Sequence, residues 1–310
     1  MNNTYILGHK SPDCDCACAA KAYEWYLKKK GVPAVGVVLG KLNNETKWVF
    51  DYHHVEPPIR LRKMPPESNL IIVDTTEAGQ LPSNLNDSKI LEIWDHHKLG
   101  GLKTSRPIKT IIDVVGSTCT LLLEQFQRDN IGIASPIAGL LMSAVVSDTL
   151  NLTSPTTTDR DKKAYEYLES ILELDLKQYV KQQFEAKSSI EGMSIKEIVK
   201  SSAKTYYVGE KKVKIATFET VDPSQPWAIR DQIREFIIAE KKFKRYDYYM
   251  FFVIDIMNKF AKPLLTSPDE KELLEHAFGM KFRDGMKMQG IVSRKQQIVP
   301  QIEEYLNSIG

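Results

Sequence analysis

Ile90-Leu91-Glu92-Ile93-Trp94-Asp95-His96-His97 places an acid and two imidazoles directly behind a largely apolar run. A run of this kind reads as a strand, and a strand buried on both faces belongs to a parallel sheet. Side chains alternate between faces along a strand, so Asp95, His96 and His97 cannot serve one centre unless the chain bends there. Lys98-Leu99-Gly100-Gly101 follows, and its glycines permit the bend. Taken alone the triplet is weak evidence. Its meaning depends on whether other strand ends supply matching groups.

Two other strand-like runs repeat the device. Thr4-Tyr5-Ile6-Leu7 leads into Gly8-His9-Lys10-Ser11-Pro12-Asp13-Cys14-Asp15, and Ala17 to Lys30 then reads as a helix closing at Gly31. Asn69-Leu70-Ile71-Ile72-Val73 ends in Asp74-Thr75-Thr76-Glu77. Between them, Gly31 to Leu39 reads as a strand and Trp48 to Val55 as a helix ended by Pro57-Pro58. Strand, polar turn, helix is the opening of an α/β unit, whose ligand-bearing loops lie at the carboxyl ends of the strands.

The 310 residues suffice for one large domain or two ordinary ones, and 42% apolar with 26% charged residues is a globular composition. A net charge of +2 gives no bulk field for nucleic acid or an anionic membrane, so any anion recognition is local. The amino-terminal residues carry no secretory signature, and no apolar run approaches the roughly 20 residues of a membrane-spanning helix. Three of the four cysteines, Cys14, Cys16 and Cys18, crowd into five positions. That is a poor disulfide framework without the usual zinc spacing, so they read as packing residues in a reduced, cytoplasmic protein.

Further along, Ser117 or Thr118 caps a helix, Ile137 to Val146 is an apolar helix leading to Asp148, and Asp159 to Leu174 and Asp175 to Glu185 are helical. The small, polar stretch from Ala186 to Gly192 is the best linker. Beyond it, Lys212-Val213-Lys214-Ile215 alternates like an exposed strand, with Ala216-Thr217-Phe218 as its expected continuation. Ile229 to Lys242 reads as a helix, Tyr246 to Asp255 as a buried strand, and Ser293 to Gln297 as a polar turn. His53-His54, with no acidic motif around it, reads as surface.

The strand ends thus offer His9, Asp13, Asp15, Asp74, Asp95, His96 and His97, joined by Asp148. Carboxylates and imidazoles without thiolates suit a hard-to-borderline divalent ion such as Mn²⁺, with Mg²⁺ or Co²⁺ as alternatives. So many aspartates exceed the needs of one ion. Two ions sharing a bridging carboxylate would use them, and paired metals activate a water for displacement at phosphorus or a carbonyl.

This set resembles the DHH phosphoesterase superfamily: His9-x-x-x-Asp13-x-Asp15, Asp74, Asp95-His96-His97 and Asp148. Ser147-Asp148-Thr149-Leu150, Thr153-Ser154-Pro155-Thr156 and Ser293-Arg294-Lys295-Gln296-Gln297-Ile298-Val299-Pro300 are similar to the family II inorganic pyrophosphatases, the last to their DHHA2-type carboxy-terminal domain. The resemblance implies an α/β chain with a mainly parallel amino-terminal sheet flanked by helices, and a smaller carboxy-terminal α/β domain with a mixed sheet. The active site would lie in the cleft between domains. Residues 1–186 would be the catalytic domain, 187–192 a linker and 193–310 the substrate-binding domain.

It implies hydrolysis of pyrophosphate to two phosphates by a water bridging two Mn²⁺ ions, with Co²⁺ or Mg²⁺ as substitutes and further Mg²⁺ entering with substrate. His9, Asp13 and Asp74 would hold one ion, and Asp15, Asp74, His96 and Asp148 the other. His97 would contact phosphate and donate a proton, Asp95 would orient a neighbour, and Lys204, Arg294 and Lys295 would grip the phosphates. A homodimer is also implied. The family commonly has His-Asn where this chain has Thr75-Thr76, small or hydroxyl residues in place of Cys14 and Cys16, and Lys in place of Gln296. These departures keep alive an exopolyphosphatase, or another small phosphoanhydride hydrolase, as the alternative. A non-catalytic homologue is more remote, because its mark would be lost ligands and none of the matched ones is missing.

Overall fold

The computed structural model describes residues 4–65, 68–82, 85 and 89–309. The chain divides into two compact units, Met1–Lys187 and Ser188–Gly310.

The first unit runs β1 (Thr4–Leu7), α1 (Cys14–Lys29), β2 (Ala34–Val38), α2 (Asn44–Tyr52), β3 (Ile59–Arg60), β4 (Asn69–Val73), β5 (Ile90–Asp95) and β6 (Lys109–Ile112). Four helices follow: α3 (Thr118–Arg128), α4 (Ser135–Asp148), α5 (Asp159–Ile171) and α6 (Leu176–Ser188). The strands form one sheet in the order β3-β2-β1-β4-β5-β6, every pair parallel. The order reverses between β1 and β4, and the crevice outside the carboxyl ends at such a reversal is where open α/β sheets bind ligands. His9 and Asp74 emerge there. Leu7, Val37, Leu70, Ile72, Ile90 and Ile93 pack into one buried cluster that fixes the strands beneath them.

Helix α1 starts earlier than periodicity suggests. Asp13 caps it, its side chain accepting the Cys16 N–H at 3.0 Å, so Cys14-Asp15-Cys16 form the first turn. Its buried face is made of small residues, Cys14, Cys16, Ala17, Cys18, Ala20 and Ala22, which let α3, α4 and β2 approach closely. Cys14, Cys16 and Cys18 are buried free thiols, as the packing reading requires.

Two expectations are corrected. His53 is buried rather than superficial. It ends α2, and its Nε2 lies 2.9 Å from the Tyr179 hydroxyl and 3.4 Å from Ser143 Oγ. Gly139 on α4 makes room for the ring: a Cβ there would lie 2.3 Å from imidazole atoms. Burial lowers the His53 pKa to about 4, so it packs as a neutral ring, while His54 is exposed. The division between the units, at Lys187/Ser188, falls within the stretch expected to be linker, whose first residues complete α6. Lys187 bonds Ser147, and Ser188 Oγ accepts the Val221 N–H at 2.6 Å, which holds a turn that composition alone would not.

The second unit contains α7 (Ile195–Lys200), β7 (Ser202–Val208), β8 (Lys211–Thr220), α8 (Ser224–Ala228), α9 (Arg230–Lys244), β9 (Tyr248–Asp255), β10 (Phe260–Leu264), α10 (Pro268–Phe278), β11 (Met288–Gln289) and α11 (Val299–Ile309). Its sheet runs β11-β10-β9-β8-β7 and is mixed: β8 and β9 are parallel, the other pairs antiparallel. The second correction is β8, which lies inside the sheet rather than exposed. Polar-apolar alternation ends at Ile215, and Ala216, Thr217 and Phe218 are all buried. Ala216, Phe218, Ile233, Ile237, Phe251 and Val253 form the core of this unit.

Candidate active site

Asp74 is the hub of the first unit's site. It follows β4 directly, is nearly fully buried, and holds φ at +59°, the left-handed region a non-glycine residue adopts only under constraint. Its N–H donates to the Trp94 carbonyl at 2.8 Å, which fixes the turn against β5. Its two oxygens face different imidazoles: Oδ2 lies 3.3 Å from His9 Nε2, and Oδ1 lies 3.4 Å from His96 Nε2.

Around His9 the partners are Asp74 and Asp13, whose Oδ2 is 3.5 Å from Nε2. Burial opposes the imidazolium, but the hydrogen bonds to Asp13 and Asp74 outweigh it and push His9 up to about 10. His96 Nε2 faces three carboxylates, Asp74 at 3.4 Å, Asp148 at 3.7 Å and Asp15 at 3.9 Å. Burial again opposes the charge; Asp74 and Asp15 prevail and lift His96 to about 9. Asp15 is pushed up to about 6 by burial and then by Asp74, and Asp148 is also displaced upward by burial and by Asp15, Asp13 and Asp74. Asp74 moves well down, the two imidazoles overcoming its burial.

Asp15 sits in the first turn of α1, yet its carboxylate serves α3. It accepts Ser117 Oγ at 2.7 Å and the N–H groups of Thr118 at 2.6 Å and Cys119 at 3.1 Å. An acid at a helix amino terminus meets both free N–H groups and the positive end of the dipole. Thr118 Oγ1 donates to Asp74 Oδ1 at 3.1 Å. Ser117 and Thr118 were expected chiefly as caps, and they also brace two of the acids.

The residues present fit divalent-metal binding. His96 Nδ1 is 3.1 Å from the Val115 carbonyl, so it donates there and leaves Nε2 facing the acids. That Nε2 is buried and has no hydrogen bond among the described residues, although three carboxylates surround it. Ligand atoms of Asp15, His96 and Asp148 lie within 4.8 Å of one another, as do those of Asp74, His96 and His97 and those of His9, Cys16 and Asp74. Carboxylate oxygens and imidazole nitrogens are the donor set of a hard-to-borderline divalent ion. Cys16, read as packing, borders this cluster through its sulfur.

The triplet is divided by its bend. Fully buried Asp95 accepts on Oδ1 from the N–H groups of His96 at 2.8 Å and His97 at 3.1 Å, and lies 2.9 Å from His97 Nδ1. One carboxylate thus folds the loop and orients the second imidazole. The hydrogen bond to Asp95 raises the pKa of His97, whose side chain is 55% exposed and whose Nδ1 also lies 3.7 Å from Asp74 Oδ1. Thr75 and Thr76 spend their hydroxyls locally: Thr75 Oγ1 accepts from Glu77 N–H, and Thr76 Oγ1 bonds Lys98 and Gly100.

In the second unit, the expected turn at Arg294 is a π-helical segment, Arg294–Ile298, capped by Ser293 Oγ. Arg294 Nη1 donates to Ser202 Oγ at 3.0 Å and to its carbonyl, and Arg294 Nε is buried without a partner among the described residues. Ser202 and Lys204 are two apart on β7 and share a strand face, while Lys204 and Lys295 are exposed.

The sequence matches the DHH family, N-terminal domain, over residues 3–145 and the DHHA2 domain over residues 181–305. A protein of Exiguobacterium sp. named "Probable manganese-dependent inorganic pyrophosphatase" is 33% identical over 98% of this chain and 99% of its own. One of the same name from Lactobacillus helveticus is 33% identical over the same shares. A crystal structure described as a "putative family II inorganic pyrophosphatase", from Methanococcus jannaschii, has a TM-score of 0.75 and 31% identity, covering 98% of this chain and 99% of that one. An exopolyphosphatase-related protein from Bacteroides fragilis, 15% identical with a TM-score of 0.53 over 99% of this chain and 92% of that one, shares the fold alone. With 33% identity along nearly the whole of both chains and both domains matched in order, the chain belongs to the DHH superfamily and, within it, to the family II inorganic pyrophosphatases that carry a DHHA2 domain.

Proposed function

We propose that the chain hydrolyses inorganic pyrophosphate to two phosphates and depends on manganese, the activity and metal named for its relatives. The observation that carries the reading is the split of Asp74, one oxygen toward His9 and the other toward His96, as a carboxylate bridging two ions requires. His9, Asp13 and Asp74 would hold one ion, and Asp15, Asp74, His96 and Asp148 the other. Bound there, the pair would supply an activated water and neutralise charge on the phosphoryl oxygens.

The protein's own groups do the rest. Asp95 fixes His97 through Nδ1, so Nε2 meets the substrate, and the hydrogen bond to Asp95 favours the protonated ring that can serve as donor to the departing phosphate. Lys204, Arg294 and Lys295 bind the phosphates: Arg294, anchored by Ser202, offers a charged fork and the lysines offer point charges. Co²⁺ or Mg²⁺ would substitute for Mn²⁺ at oxygen and nitrogen donors, with further Mg²⁺ accompanying substrate. Four buried free thiols suit a reducing, cytoplasmic setting. A homodimer is the assembly that family membership suggests, and sedimentation checks it.

The test is phosphate release by Mn²⁺-reconstituted protein from pyrophosphate, tripolyphosphate and longer chains. Pyrophosphate should be the fastest. If it ranks among the slowest, the exopolyphosphatase reading replaces this one.

A further inference from the structure

Asp148 is the most awkward of the acids to hold. It is the last residue of α4, where the helix dipole is negative and disfavours a carboxylate. Its neighbours Asp13, Asp15 and Asp74 repel it. No hydrogen bond reaches its side chain among the described residues, and its ion pair with His96 Nε2 is long, at 3.7 Å, so its position depends largely on the backbone of the final turn of α4.

That turn is gripped from α6. Lys187 Nζ donates to Ser147 Oγ at 3.0 Å and to the Ser147 carbonyl at 3.4 Å, one residue before Asp148. A cation at the free carbonyls of a helix end opposes the unfavourable dipole and tethers the turn. The ammonium is itself oriented by Glu45, whose Oε2 is 3.5 Å away on a side chain only 2% exposed. Gln183, one turn before Lys187 on α6, donates to Glu45 Oε1 at 3.0 Å and to the Ser143 carbonyl at 2.8 Å. Helices α2, α4 and α6 are thereby locked together at the end of α4 that carries Asp148.

We propose that Lys187 is a positioning residue for the metal centre, acting through Ser147 to hold the Asp148 carboxylate in place and to offset the charge of the acid cluster. This rests on the two-metal reading above. Lys187 brings a positive charge to the end of α4 that carries Asp148, held there by Ser147 and Glu45. The sequence does not advertise the role, since Lys187 lies in a small, polar stretch that reads as linker.

The experiment is Mn²⁺ binding to metal-free protein, followed by electron paramagnetic resonance, for wild type, Lys187→Met, Lys187→Arg and Asp148→Ala. Circular dichroism melting of the metal-free forms reports folding. Loss of the charge should weaken one of two Mn²⁺ sites about tenfold or more, the usual scale for groups that orient a ligand. Asp148→Ala should weaken the same site, and Lys187→Arg should restore binding to within about threefold of wild type. If Lys187→Met does not fold, Lys187→Gln carries the same comparison. A folded Lys187→Met protein with wild-type Mn²⁺ binding overturns the inference while leaving the metal centre standing, provided Asp148→Ala is impaired. An Arg variant as weak as the Met variant also overturns it. Unchanged binding in Asp148→Ala would remove both this inference and the two-metal reading.

Discussion

Loading manganese should expel protons, and the structure sets how many. In the metal-free protein His9 is held up at about 10 and His96 at about 9, each serving as a counter-charge to buried carboxylates. A metal ion needs the bare nitrogen, so each imidazole must lose its proton on binding. At pH 7 that is three units of uphill deprotonation for His9 and two for His96. At about 1.4 kcal/mol per unit, the toll on binding is on the order of 7 kcal/mol. While pH stays below both values, two protons leave per metal pair, so the overall binding constant should rise about 100-fold per pH unit. Asp148, also displaced upward, adds to the release wherever it is still protonated. Titration calorimetry of Mn²⁺ at pH 7, in buffers of different ionisation enthalpy, counts the protons directly. Release of less than one proton, or affinity that stays flat between pH 6.5 and 8.5, would refute the reasoning. Metal-free stability should run the opposite way. Groups with raised folded pKa values contribute fully below the unfolded value of about 6.5 and lose that contribution as pH rises through 9 to 10. The metal-free melting temperature should therefore fall across that window.

Three further outcomes follow from named contacts. Replacing His97 with Asn should lower kcat about 10²- to 10⁴-fold, the usual contribution of a proton donor, with Mn²⁺ affinity nearly unchanged; steady-state kinetics beside metal titration separates the two. Arg294→Lys loses the fork that joins Ser202, so KM for pyrophosphate should rise about tenfold while Mn²⁺ binding stays as it was. Gly139→Ala drives a methyl into the His53 ring and should cost about 1–3 kcal/mol in urea unfolding.

Much of the site can be read from the chain because it follows strand ends. Apolar runs at Ile6, Ile71 and Ile93 mark buried strands, and the acids and imidazoles just beyond them fall at one sheet edge whatever the details of packing. What escapes reading depends on distant partners. Asp15 serves the amino terminus of a helix a hundred residues later, and nothing near Asp15 in the sequence announces Ser117 or Thr118. His53 looks like surface until Gly139 and Tyr179 enclose it. Lys187 looks like linker until Ser147 and Glu45 define its task. The strand β8 is misjudged for a related reason: Lys212 to Ile215 alternate, but the five residues that follow all pair with β9, and Ala216 and Thr217 with β7 as well.

The small-residue face of α1 has a practical consequence. Cys14, Cys16, Cys18 and Cys119 are each no more than 1% exposed, so a thiol reagent cannot reach them in the folded chain. Their labelling rate with a maleimide therefore times the opening of the first unit around the very helix that carries Asp13 and Asp15. The chain carries its own clock for the coming and going of structure at the proposed metal site, and mass spectrometry of the labelled thiols can read it.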